Sequence, residues 1–104
     1  MSKDVFIKAI HCQNKIRVTF NSKEDKGIII RICAPMDYGH SRRAKNQGDK
    51  YHMWDYESDK KPHPVSLKPE QIQKIELLTE KFDPSEFISW ETNWIIERDW
   101  GQYS

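Results

Sequence analysis

The chain has 104 residues, of which 37% are hydrophobic, 12% aromatic and 32% charged, with a formal net charge of +1. That length suits one small domain, and the aromatic content with so low a net charge favours a folded chain over a disordered one. No apolar run approaches the ~18 residues of a membrane-spanning helix, and Met1-Ser2-Lys3-Asp4 leads into no signal-peptide core. Cys12 and Cys33 are too few for a disulfide scaffold, so the expectation is a cytoplasmic protein without membrane contact. The near-neutral total is uneven: residues 1–69 carry 14 Lys/Arg and 8 Asp/Glu, whereas residues 70–104 carry 3 and 8. Either a cationic surface serves an anionic ligand while an acidic tail limits non-specific binding, or the two parts attract each other within one fold.

Residues 4–12 read as a short helix, with Val5 or Phe6, Ala9 and Ile10 at helical spacing and Ser2 or Asp4 as cap. Alone it is too short to be stable, so it must pack on something. Ile16-Arg17-Val18-Thr19-Phe20 alternates, as a strand with one buried face requires. A polar turn ending at Gly27 leads into a second strand, Ile28 to Cys33, whose apolar face is expected to be Ile28, Ile30 and Ile32. Arg31 then points either to water or into a polar interior, outward being the commoner case. Ala34-Pro35 is expected to end the strand, because proline cannot donate to a ladder. Residues 37–50 lack an aliphatic pattern and read as a loop or a distorted connection. Tyr51 to Tyr56 is rich in strand-forming aromatics, Glu57 to Pro62 is a turn, and His63 to Leu67 returns as a strand.

Residues 68–82 suit either a helix starting at Pro69 or a strand, and period alone leaves both open. Asp83-Pro84-Ser85-Glu86 has a cap, a proline at the first helical position and a carboxylate three residues after the cap. A helix through Phe87 to Trp90 is expected there. The remaining tail holds Trp90, Trp94 and Trp100, so it should lie on the body of the protein or on another subunit. The fold class that results is mainly β with short flanking helices (α+β), with a C-terminal helical extension.

No spacing among His11, Cys12, Cys33, His40, His52 and His63 matches a metal motif, and no phosphate loop or nucleophile elbow occurs. The sequence therefore predicts no metal, no cofactor and no enzyme. Cys33 falls in phase with Arg31, a weak argument for a more acidic thiol. What remains is a basic and aromatic set: Arg31, Arg42, Arg43, Lys45, Lys50, Tyr51, His52, Trp54 and His63. Arginine forks suit phosphate, aromatic faces stack on bases, and protonated His52 adds charge. The expected ligand is a nucleotide or a short single-stranded nucleic acid; the plainer reading is a solvated loop beside an ordinary half-buried strand. Alternation splits the group, with Tyr51, Met53 and Asp55 on one face and His52, Trp54 and Tyr56 on the other. The competing function is a protein-interaction module, homodimeric or with a partner protein, using Phe87, Trp90, Trp94 and Trp100.

From about Ile7 to Phe82 the order of segments resembles the WYL domain, a bacterial ligand-sensing module. Ala9-Ile10 through Ile16-Arg17-Val18-Thr19-Phe20 is similar to the family's helix-to-strand passage, and Arg31 to Met36 to its strand ending in a proline and an apolar residue. Tyr51-His52-Met53 stands where the family has Trp-Tyr-Leu. Val65-Ser66-Leu67 with Ile72 falls on its late Phe-Arg-Leu and Ile pattern, with Ser66 in place of an arginine. The resemblance implies a small Sm-like barrel of about five strands over residues 1–82, preceded by a helix, with 83–104 as an added extension. It also implies a single turn at Pro69–Gln71 followed by a strand, and a sensing role without the DNA-binding segment that usually precedes this domain.

Overall fold

A computed structural model describes residues 2–22, 27–40, 48–57, 63–92 and 94–104, and of His40 and His63 the backbone alone. Helix α1 (Ser2–Cys12) buries Phe6, Ala9 and Ile10, the three-and-four spacing read from the sequence. It stops where Gln13 takes a left-handed φ of 56°. Five strands follow: β1 (Asn14–Ser22), β2 (Gly27–His40), β3 (Asp49–Asp55), β4 (His63–Leu67) and β5 (Ile72–Lys81). They form one antiparallel sheet in the order β4-β3-β2-β1-β5. No described helix is long and apolar enough to cross a membrane.

The 3-10 turn Pro69–Gln71 settles the segment after β4 as turn and strand. Gln71 explains why the chain turns there: its Oε1 accepts from the Lys68 N–H (3.1 Å) and its Nε2 donates to the Asn21 carbonyl (3.0 Å). The turn is thereby tied to the end of β1, and β5 leaves it already aligned along the sheet edge.

Strand β2 corrects three expectations. It runs through Pro35 to His40, so Asp37 to His40 are strand and not loop. Pro35 is tolerated because pairing with β1 ends at Cys33, so the missing N–H falls where β1 has no partner to offer. A bulge between Pro35 and Asp37 then bends the strand. The third correction concerns the faces. Register places Ile29, Arg31 and Cys33 opposite the buried Phe20, Val18 and Ile16, so it is Ile28 and Ile30 that face water. Three isoleucines in a row carry no phase, and Phe20, Val18 and Ile16 across the ladder decide it.

The described residues of the tail, 83–92 and 94–104, run against the sheet and α1. The Asp83 carboxylate accepts from the Ser85 N–H and Glu86 Oε1 from the Asp83 N–H (both 3.0 Å), as the capping pattern predicts. Only the 3-10 turn Pro84–Glu86 results, however, and the expected helix through Trp90 does not form. The reason is tertiary: Phe87 and Ile88 are both buried, in a segment too short to gain from helix propagation. A second 3-10 turn, Gly101–Tyr103, ends the chain.

Candidate functional site

The outward face of β3 carries Lys50, His52 and Trp54, all half-buried. His52 lies opposite Asp37 on β2 and Ser66 on β4. Its Nε2 is 2.9 Å from the Gly39 carbonyl, which only accepts, so this nitrogen holds a proton. Its Nδ1 is 2.7 Å from Ser66 Oγ. The neutral ring accepts there from the hydroxyl and the imidazolium donates to it, so both charge states keep the same two partners. A fixed, chargeable ring at the surface of the β3–β4 pair is what this arrangement provides.

The other members of the expected set are not gathered around it. Arg31 lies on the opposite face of the sheet, with Nε 3.5 Å from the buried Asp55 carboxylate. Tyr51 is a core residue, edge-on to Phe6 and Tyr38 at centroid distances of 5.0 and 4.9 Å. Burial first, then Tyr38 and Asp4, push its hydroxyl above the usual tyrosine range. Trp54 is stacked on Phe87 at 5.4 Å and 15°, which occupies one of its faces. His63 pairs through its backbone with Asp55. Arg42, Arg43 and Lys45 lie outside the described residues. The Cys33 thiol is pushed up, by burial and then by Asp55 and Glu57, against a smaller opposite pull from Arg31. The weak argument for a more acidic thiol is thus reversed, because burial outweighs the arginine and Asp55 and Glu57 push the same way as burial.

Three of the four tail residues proposed as an interface are engaged within the chain. Phe87 packs on Trp54 and Phe82, and buried Trp100 donates from Nε1 to the Ile10 carbonyl at the end of α1 (2.8 Å). Trp94 donates to the Tyr103 carbonyl (2.8 Å), and only Trp90 is largely exposed.

What holds the tail is a constellation that sequence reading missed. The Arg98 side chain is fully buried, its Nη2 3.2 Å from Asp37 Oδ1. It also donates to the Ile96 carbonyl (2.8 Å from Nη2) and, through Nη1, to the Met36 carbonyl. The guanidinium sits 4.3 Å from the Trp94 ring and 4.5 Å from the Trp100 ring. Asp37 accepts in turn from the N–H groups of Tyr38 (3.0 Å), Ile95 (2.8 Å) and Ile96 (2.9 Å). A buried ion left unpaired costs several kcal/mol, so this number of partners is what makes the arrangement tolerable. Burial pushes Arg98 down to about 10, with Asp37 pulling the other way, and it stays charged at neutral pH. The available signal was an isolated arginine flanked by Trp94 and Trp100 in an otherwise acidic tail.

The uneven charge is therefore used partly within the fold. Lys15 with Glu80 and Arg17 with Glu76 join the basic and acidic parts in the expected sense, and Asp37 with Arg98 joins them in the reverse sense. Among the described residues no three His, Cys, Asp or Glu side chains converge as a metal site. No family model, curated protein or solved structure matches the chain.

Proposed function

We propose that this chain is a non-enzymatic binding module that recognises an anionic ligand, of the nucleotide or short single-stranded nucleic acid class, on the outward face of β3 and β4. The observation that carries this reading is His52, whose ring is held at both nitrogens beside Ser66 on a face shared with Lys50. A ring already oriented loses little freedom when a ligand meets it. Arg42 and Arg43, which fall between β2 and β3 in the sequence, are the source of further charge in this reading. Arg31 and Tyr51 are no longer part of the proposed site, and Trp54 contributes only what Phe87 leaves open.

The WYL resemblance adds to this reading a sensing role and an Sm-like barrel. The strand order supports the latter, since curling this sheet until β4 approaches β5 would produce such a barrel. A panel of nucleotides and single-stranded oligonucleotides, followed by thermal shift at two salt concentrations, tests the function. A ligand of the native state raises the melting temperature. Arg42→Ala with Arg43→Ala should weaken binding and make the dependence of log affinity on log salt shallower by about 1.4, ~0.7 for each charge on a single strand, and His52→Ala should weaken binding without changing that slope. No hit from the panel, or affinities that these substitutions leave unchanged, would refute the assignment. A second reading, a protein-interaction module, is favoured by a different surface from the tryptophan tail: the isoleucine edge of β2.

A further inference from the structure

Along a strand, residues that direct their backbone groups to one neighbour alternate with residues that direct them to the other. The Ile32 N–H donates to Glu57 Oε1 (2.7 Å), and its carbonyl accepts from the Tyr56 N–H (3.2 Å). Both partners follow β3, so Ile32 points away from β1. By alternation Ile28 and Ile30 point the same way. Yet β3 pairs with β2 only from Cys33 onward, so the N–H and carbonyl groups of Ile28 and Ile30 have no partner among the described residues. The same two residues are 53% and 56% exposed, more than any other large hydrophobic described. Natural sheets blunt such edges with charge, proline or cover, and this one presents isoleucine.

We infer that this edge pairs with the same edge of a second copy of the chain, antiparallel, about a two-fold axis midway between Ile29 and Ile29 of the partner subunit. Ile28 then meets Ile30 of the partner subunit, and Ile30 meets Ile28 of the partner subunit. Four N–H to carbonyl bonds result, and they use every edge-facing backbone group of the four isoleucines. The axis is perpendicular to the sheet, so all four side chains fall on one face as adjacent cross-strand pairs. Length selects the occupant. Glu57 and Tyr56 close the edge at Ile32, so a partner strand must stop short of that residue. A second copy does so by symmetry. The pairing is far smaller than the ~1,200 Å² of a standard stable complex, so the dimer forms only at high protein concentration.

Sedimentation velocity of the full chain from about 10 μM to about 1 mM, a range suited to weak association, should show monomer passing to dimer. Ile30→Pro deletes an N–H that faces away from β1 and so spares the hairpin; it should lower the association constant at least about tenfold. A chain that stays monomeric throughout, a dimer indifferent to Ile30→Pro, or growth beyond a dimer would each overturn the inference. Amide exchange on the unmodified chain decides the matter if that variant does not fold. The Ile28 and Ile30 amides should exchange more slowly as concentration rises, while the Ile32 amide, already bonded to Glu57, keeps its rate. Rates at Ile28 and Ile30 that ignore concentration would refute the pairing.

Discussion

The two halves of β2 are one continuous strand in two environments. From Gly27 to Ile32 the sheet is covered on one side, and Ile28 and Ile30 stand in water. From Cys33 to Asp37 every residue is buried. The difference lies above the strand: the second half has β3 beside it and the tail over it, fastened to Asp37 through Arg98. Hydrophobicity of the strand itself does not account for this, since the exposed half is the richer in isoleucine. Burial here is assigned by what the rest of the chain can bring to each half, and the assignment changes at Cys33, where pairing with β3 begins.

The contrast is most directly broken at the fastening. Arg98→Ala leaves Asp37 buried without its counter-charge and should cost about 3–5 kcal/mol, the usual effect of removing one member of a buried pair. Urea unfolding would measure it, and a loss under 1 kcal/mol (on the scale of exposed pairs) would mean that the tail contributes little to the fold. A matched pair of substitutions sharpens the comparison. Met36→Ala in the covered half should cost about 2 kcal/mol or more, whereas Ile30→Thr in the open half should stay within about 0.5 kcal/mol. Equal effects would show that the two halves do not differ energetically.

The smallest effect concerns the start of the tail. The Ser85 N–H holds the Asp83 carboxyl below its ordinary range. Its folded value is the lower one, so its contribution is complete above the unfolded value, about pH 4, and is lost as pH falls through the folded value. Asp83→Asn should therefore make stability fall less steeply with acid, as followed by circular dichroism; an unchanged acid slope would mean that the cap does not couple to folding.

Most of the elements were legible in the sequence because each is set by neighbours along the chain. The alternation of Ile16, Val18 and Phe20 marks β1, the helical spacing of Phe6, Ala9 and Ile10 marks α1, and Asp83-Pro84-Ser85-Glu86 specifies its own capping bonds. The candidate site was legible only in part. Alternation correctly separated His52 and Trp54 from Tyr51, but nothing local indicated that Phe87 would cover Trp54 or that Asp55 would neutralise Arg31. Gly39 shows the same limit: its φ of +151° and a would-be Cβ 2.5 Å from Ile95 make sense only once the tail is in place.

By itself the sequence determined the helix, the first four strands in outline and the cap at Asp83, since each depends on side chains a few residues apart and on backbone preferences that no distant contact has to supply. Only the tertiary structure decided which face of β2 meets water, how far that strand runs past Pro35, and that Asp37 and Arg98, 61 residues apart, share one buried site. Those outcomes depend on which groups are brought alongside from elsewhere in the chain, and a charge can be buried only where its partners arrive together.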